Sequence, residues 1–145
     1  LMALKKLEPM LVGTNVEARI QQGEMLIYDR MCQGGGWNYG NSKVLGEALW
    51  PYPDVTAVAL IALQDRRASE ANQTSLHLLD KMAREADSGM ALGWGILCLT
   101  LYNEDVRELK KVLAKNFEKT SFLGQIKTVA LAVLALGDGA RFFRV

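Results

Sequence analysis

The 145-residue sequence has little of what would assign it to a specialised class of protein. It contains two cysteines, three prolines and one histidine, and aromatic residues make up 8% of it. Seventeen Lys and Arg residues are matched by sixteen Asp and Glu residues, so the formal charge is +1. A near-neutral chain lacks the electrostatic attraction for nucleic acid or an anionic membrane surface, so neither is expected as a partner.

Long hydrophobic runs are also missing. The apolar stretches 57–63 and 129–136 are far shorter than the roughly 20 residues of a membrane-spanning helix, so no transmembrane segment is expected. Cys32 and Cys98 are distant in sequence and have no CxxC spacing or neighbouring histidine. This usage favours free, buried thiols in a reducing, cytoplasmic compartment over a disulfide scaffold or a zinc site. No cofactor or metal is expected.

What the sequence does contain is typical of a folded globular domain. Half of the residues are apolar and 23% are charged, which argues against disorder. The length suits a single domain spanning 1–145. Because the sequence begins with Leu1 rather than methionine, we expect it to be part of a longer protein.

Apolar residues recur with helical spacing along nearly the whole chain. The pattern predicts helices at about 15–31, 56–63, 72–86, 90–102, 104–118 and 127–136. Three of them, beginning near 56, 91 and 128, are apolar on almost every face, and the others are amphipathic. A repeat of this length indicates stacked αα-hairpins, with the apolar helices in an inner layer. The predicted fold is therefore all-α, with about six helices.

The segment Cys-Gln-Gly-Gly-Gly-Trp-Asn-Tyr-Gly-Asn at 32–41, followed by Pro-Tyr-Pro-Asp-Val-Thr-Ala at 51–57, resembles a family repeat. It is similar to the terpenoid cyclase and protein prenyltransferase superfamily, in particular to bacterial prenyltransferase and squalene oxidase repeat proteins and to squalene-hopene cyclases. The resemblance implies an α/α toroid, usually of six inner and six outer helices. About six helices would form half of such a ring, or a reduced one.

Asp54 has two interpretations. From its position before the apolar run at 56–63, it is predicted to cap that helix by accepting from a backbone N–H. In the class II cyclases that the segment resembles, the middle acid of an Asp-x-Asp-Asp-Thr-Ala motif protonates the substrate, and that acid aligns with Asp54. The flanking acids are replaced by Tyr52 and Val55.

The resemblance also identifies candidate ligand-binding aromatics, because the cyclases line their cavity with aromatic rings that stabilise carbocations. Trp37, Tyr39, Tyr52 and Trp94 are the candidates, with Trp50 nearby in sequence. The alternative for Trp94 is a place in the core between apolar helices.

Metal and phosphate sites are both disfavoured. Protein prenyltransferases hold zinc with an Asp and a Cys two positions apart and a His, whereas Asp29 and Cys32 are three apart and His77 lies on an amphipathic helix. His77 is therefore expected at the surface. Gly34, Gly35 and Gly36 neither follow a predicted strand nor lead directly into a helix, so they predict a packed turn rather than a phosphate loop.

The leading hypothesis is a domain without catalysis that binds a hydrophobic ligand, isoprenoid or lipid, or a protein partner. One alternative is a cyclase-like or prenyltransferase-like enzyme with Asp54 as its acid. Another is an αα-solenoid scaffold for protein interactions. A half-ring has apolar end faces, which predicts self-association or pairing with a missing half-domain.

Overall fold

The structure, a computed structural model, describes residues 1–11 and 15–145. These residues form seven α-helices and one small β-hairpin, which confirms the predicted all-α fold class. The helices are α1 (Met2–Leu7), α2 (Val16–Asp29), α3 (Pro53–Ala62), α4 (Glu70–Arg84), α5 (Gly89–Leu101), α6 (Arg107–Thr120) and α7 (Ile126–Leu136). The hairpin pairs β1 (Lys43–Val44) with β2 (Glu47–Ala48).

The six predicted helices are all present, with ends within three residues of the predicted ones. α1 was not predicted, because a six-residue helix with no buried residue leaves no apolar period in the sequence. The β-hairpin was not predicted either, since its strands are two residues long and exposed.

The apolar helices form an inner layer in which α5 packs against both α3 and α7. Ten of the thirteen α5 residues are buried, which is why that segment is apolar on every face. Gly93 allows a close approach to α7, because a Cβ atom there would lie 2.8 Å from the Leu131 side chain. The inner layer therefore consists of three neighbouring helices, with α5 in the middle.

The amphipathic helices α4 and α6 pack against α5 and bury one face each. The buried residues of α4 include Leu76, Leu79 and Ala83, and those of α6 are Leu109 and Leu113. Phe117, one turn after Leu113 on the same apolar stripe of α6, is 42% exposed. Each amphipathic helix thus covers the inner layer from outside, which confirms the predicted alternation.

The two terminal segments contact α2, the end of α3 and each other. Lys5 forms ion pairs with Glu24 and Asp65, and Lys6 donates to the Phe142 carbonyl. Gln64, which is 4% exposed, donates to the Phe143 carbonyl over 2.7 Å. The Lys5 ion pairs therefore hold the N-terminal segment, and the Gln64 hydrogen bond holds the C-terminal segment against the end of α3.

None of the helices in the described part of the chain is long and apolar enough to cross a membrane.

Candidate functional site

The three consecutive glycines form a tight turn that binds the outer helix α4. Gly34, Gly35 and Gly36 have φ values of 87°, 105° and 73°, in the region that favours glycine. The Gly36 N–H donates to the Ser75 hydroxyl of α4 over 2.9 Å. A Cβ atom on Gly36 would lie 2.7 Å from the Pro51 side chain. The glycines are therefore part of a packed turn, in agreement with the sequence prediction.

Trp37 follows this turn and is fixed between α2 and α3. Its indole N–H donates to the Ile27 carbonyl at 2.6 Å, and its backbone N–H donates to the Thr56 hydroxyl at 3.0 Å. The Trp37 carbonyl accepts from the Thr56 hydroxyl and from the Tyr52 N–H. Trp37 is 3% exposed, so its ring forms a rigid wall rather than a mobile side chain.

Beside this wall lies a groove of about 460 Å³, hereafter the α3 groove. Its floor is the α3 stripe Val55, Val58, Ala59 and Ala62, spaced as one face of a helix. Its sides come from α2, from the turn that contains Trp37, and from the start of α1. The remaining lining residues are Leu1, Met2, Leu26, Ile27, Arg30, Trp37, Asn38, Tyr39 and Gly40.

The α3 groove lies on the opposite side of α3 from α5. The α3 side chains Ala57, Leu60 and Ile61 are fully buried in the core, whereas Val55, Val58 and Ala59 are only half-buried. The lining contains a single charged side chain, that of Arg30, whose guanidinium donates to the Asn41 side-chain oxygen over 2.8 Å. The groove is chemically suited to an apolar occupant.

Asp54 lies in the first turn of α3 and does not cap the helix. The helix begins at Pro53, with Tyr52 in the capping position, because proline is well suited to the first helical residue. The predicted capping role of Asp54 is therefore wrong. Its carboxylate instead accepts a hydrogen bond from the Tyr39 hydroxyl. That bond raises the pKa of Tyr39, since loss of the phenolic proton would break it.

The structure brings together three of the five aromatic side chains noted in the sequence. Tyr39 and Tyr52 pack with ring centroids 5.4 Å apart, and Tyr39 shares the α3 groove with Trp37. Trp50, by contrast, is 86% exposed. Trp94 lies on α5 and is not among the residues lining the α3 groove. It packs edge-on against Phe143, with centroids 5.5 Å apart, so the C-terminal segment contacts it directly.

The surroundings of the two cysteines and the histidine indicate structural rather than reactive roles. Cys32 and Cys98 are free and buried, as predicted. Burial raises the pKa of both thiols, which keeps them protonated and unreactive near neutral pH. His77 is exposed, as predicted, and its Nδ1 lies 2.9 Å from the Gln73 carbonyl. Within residues 1–11 and 15–145, no three His, Cys, Asp or Glu side chains come together in a metal-binding arrangement.

Several groove residues were not identified from the sequence. Val55, Val58 and Ala59 belong to a helix that is apolar on nearly every face, so the pattern does not show which face lacks a neighbour. Leu26 and Ile27 resemble ordinary core positions of α2. The sequence signal for the groove was the Gly-rich segment at 32–41, hereafter the Gly-Trp segment. It lies between α2 and α3 in the chain, so its turn can contact both helices.

Comparison with protein-family models, with curated proteins and with solved structures finds no match to this chain.

Proposed function

We propose that this chain is a binding module without catalysis, of the α/α-toroid type suggested by its Gly-Trp segment, and that its α3 groove binds an apolar α-helix of a protein partner. The observation that carries the proposal is the position of the groove. It exposes the face of α3 opposite the neighbouring inner helix α5. A further apolar helix would extend the inner layer there.

The chemistry of the groove supports a helical occupant. α3 already buries Ala57, Leu60 and Ile61 within an apolar core of helices, and its groove face offers similar side chains at similar spacing. A helix laid on such a stripe binds through residues one turn apart, as amphipathic helices do in apolar grooves. Burying the exposed part of each large side chain removes apolar surface from water, at about 25 cal/mol per Å².

A role without catalysis is supported by the surroundings of Asp54. Its carboxylate accepts from Tyr39, and Asp54 is not among the residues that line the α3 groove. Tyr52 and Val55 stand where the flanking acids of a cyclase motif would be. We assign Asp54 to fixing Tyr39 at the mouth of the groove.

A second candidate occupant is an isoprenoid or other lipid chain. Trp37 and Tyr39 favour it, because they place two aromatic rings in the apolar lining. The volume of about 460 Å³ also falls in the range of roughly 300–1,000 Å³ that small-molecule sites occupy. The helix remains the leading candidate because the groove lies along the inner layer.

The cellular compartment that we propose is the cytoplasm, with the two free, buried thiols as support.

The test uses a fluorescein-labelled, Leu/Ala-rich helical peptide, with binding measured by fluorescence anisotropy. Leu26→Asp places a charge on the groove wall, at a side chain that is 57% exposed. Met25→Asp is the matched control, since Met25 is 72% exposed and does not line the groove. We expect the wild-type chain and Met25→Asp to bind the peptide alike and Leu26→Asp to bind at least about tenfold more weakly.

Equal binding by all three proteins would contradict the proposed site. The lipid alternative is tested in the same way with a dansyl-labelled farnesyl chain. If this probe binds and the peptide does not, and if Leu26→Asp abolishes that binding, the groove is a lipid site.

A further inference from the structure

The two ends of the chain carry opposite net charge. Residues 1–62, which include the α3 groove, contain six Asp and Glu residues against five Lys and Arg residues, a formal charge of −1. Residues 104–145, which include α6 and α7, contain eight Lys and Arg residues against five Asp and Glu residues, a formal charge of +3. The intervening residues 63–103 carry a formal charge of −1, so the overall charge of +1 hides the difference between the ends.

The far end of the inner layer has its own uncovered apolar face. On α7, Thr128, Leu131, Ala132 and Ala135 are buried, and Leu131 occupies the space beside Gly93 of α5. A second set, Ile126, Ala130 and Val133, is exposed and spaced as one helical stripe, hereafter the α7 ridge. Ile126 and Val133 are 83% and 67% exposed. No described segment of the chain covers the ridge.

The internal repeat shows what covers such a face. Thr56 of α3 and Thr128 of α7 are both buried and stand at the same place in the repeated sequence. Ile61 and Val133 each lie five residues after the threonine of their helix, so they are equivalent positions. Ile61 is fully buried in the core that α3 shares with α5, whereas Val133 has no inner helix beside it.

We propose that a second copy of this chain occupies the α3 groove and that the two copies associate head to tail, with the α7 ridge of one in the α3 groove of the other. This inference rests on the proposed function of the groove as a helix-binding site. Apolar character matches on the two surfaces, and the ends of the chain that carry them have opposite formal charges of −1 and +3.

A head-to-tail contact is heterologous, because it joins two different surfaces. Each copy therefore keeps one free groove and one free ridge until a ring closes. This property allows a complementation test that an isologous dimer cannot pass.

The test compares Leu26→Asp, which alters the groove, with Val133→Asp, which alters the ridge. Both side chains are more than half exposed, so both variants are expected to fold, and circular dichroism checks this. Met25→Asp and Leu45→Asp are the matched controls, since those residues are exposed at 72% and 100% and lie on neither surface. Analytical ultracentrifugation measures the mass of each protein alone and of a one-to-one mixture of the two variants.

We expect the wild-type chain and both controls to self-associate. Each variant alone shows at least about a tenfold weaker association. The mixture regains a species of two chains, because an intact groove on one variant meets an intact ridge on the other.

Two results would overturn the proposal. If the mixture stays as weakly associated as its components while the wild type associates, the contact is not head to tail. If the wild type is monomeric, the second copy is not the occupant. In that case, peptide binding that is sensitive to Leu26→Asp leaves the proposed function standing, whereas no peptide binding removes both.

Discussion

The α3 and α7 ends of the inner layer have similar apolar helices but different surfaces. At the α3 end, α2 and the Gly-Trp turn rise beside the helix, so its free face forms a groove. At the α7 end no comparable segment is present within residues 15–145, and Ile126 and Val133 stand out into solvent. A repeated helix thus yields a concave or a convex binding surface according to the loop beside it.

The largest expected difference concerns two equivalent apolar positions. Ile61→Ala removes a fully buried side chain from α3, and it should lower the free energy of unfolding by about 2–5 kcal/mol. Val133→Ala removes one that is 67% exposed, and it should change that free energy by less than about 0.5 kcal/mol. Urea denaturation of the two variants, at protein concentrations low enough to keep the chains monomeric, measures both values. Similar losses would show that Val133 is buried in the isolated chain.

The second expected effect concerns the turn that builds the groove. In Gly36→Ala the new Cβ meets Pro51 at 2.7 Å and Thr56 at 3.0 Å, whereas in Gly34→Ala it meets nothing within 4 Å. Both positions have positive φ, so each variant carries about 1–2 kcal/mol of backbone strain. The clash should add about 1–3 kcal/mol to the destabilisation of Gly36→Ala, but nothing to that of Gly34→Ala.

Urea denaturation of this pair separates strain from packing. If Gly34→Ala and Gly36→Ala are equally destabilised, close packing of the turn against Pro51 and Thr56 does not support the groove.

The fold was more predictable from the sequence than the site. Helical periodicity located α2 to α7 because each of these helices carries apolar residues at helical spacing. It could not distinguish the faces of α3 and α7, since both segments are apolar almost throughout. Which face is covered depends on tertiary neighbours. The groove required knowledge of where the Gly-Trp turn lies, and its position depends on hydrogen bonds from Gly36 to Ser75 and from Trp37 to Ile27.

The prediction for Asp54 failed for a local reason. The prediction placed the start of the helix after Asp54, but in the structure Pro53 takes the first helical position. Tyr52 is then the capping residue, and Asp54 lies two residues beyond it, where its carboxylate accepts from Tyr39.

The third prediction contrasts the middle of the inner layer with its ends. Burial raises the pKa of the Cys98 thiol and of the Tyr102 hydroxyl from their ordinary values of 9.0 and 10.0. The unfolded chain therefore loses these protons first as the pH rises, and the free energy of unfolding falls above about pH 9. Each group lowers the free energy of unfolding by up to about 1.4 kcal/mol per pH unit, as long as it is ionised in the unfolded chain and protonated in the folded one.

Melting temperatures recorded from pH 7 to pH 11 check the alkaline effect. Cys98→Ala should reduce the slope between pH 9 and the onset of tyrosine ionisation, whereas Val133→Ala at the α7 end should leave it unchanged. An unchanged slope in Cys98→Ala would show that another group controls the alkaline transition.

The smallest expected effect is at the mouth of the groove. Asp54→Asn weakens the hydrogen bond that Tyr39 donates, and Tyr39→Phe removes it. Tyr39 is 74% exposed, so each change should cost less than about 1 kcal/mol. Both should weaken peptide binding by a similar, small factor. If the wild type turns over isoprenoid diphosphate or polyene substrates and Asp54→Asn does not, Asp54 is instead a catalytic acid.

The central claim, that the groove at one end receives the ridge at the other, is tested most directly by cross-linking between copies. Leu26→Cys and Val133→Cys are mixed under mild oxidation, with Met25→Cys and Val133→Cys as the control pair. The native Cys32 and Cys98 are buried and do not interfere. The account predicts a disulfide-linked pair of chains for Leu26→Cys with Val133→Cys and much less for the control. Equal cross-linking in both mixtures, or none in either, would contradict it.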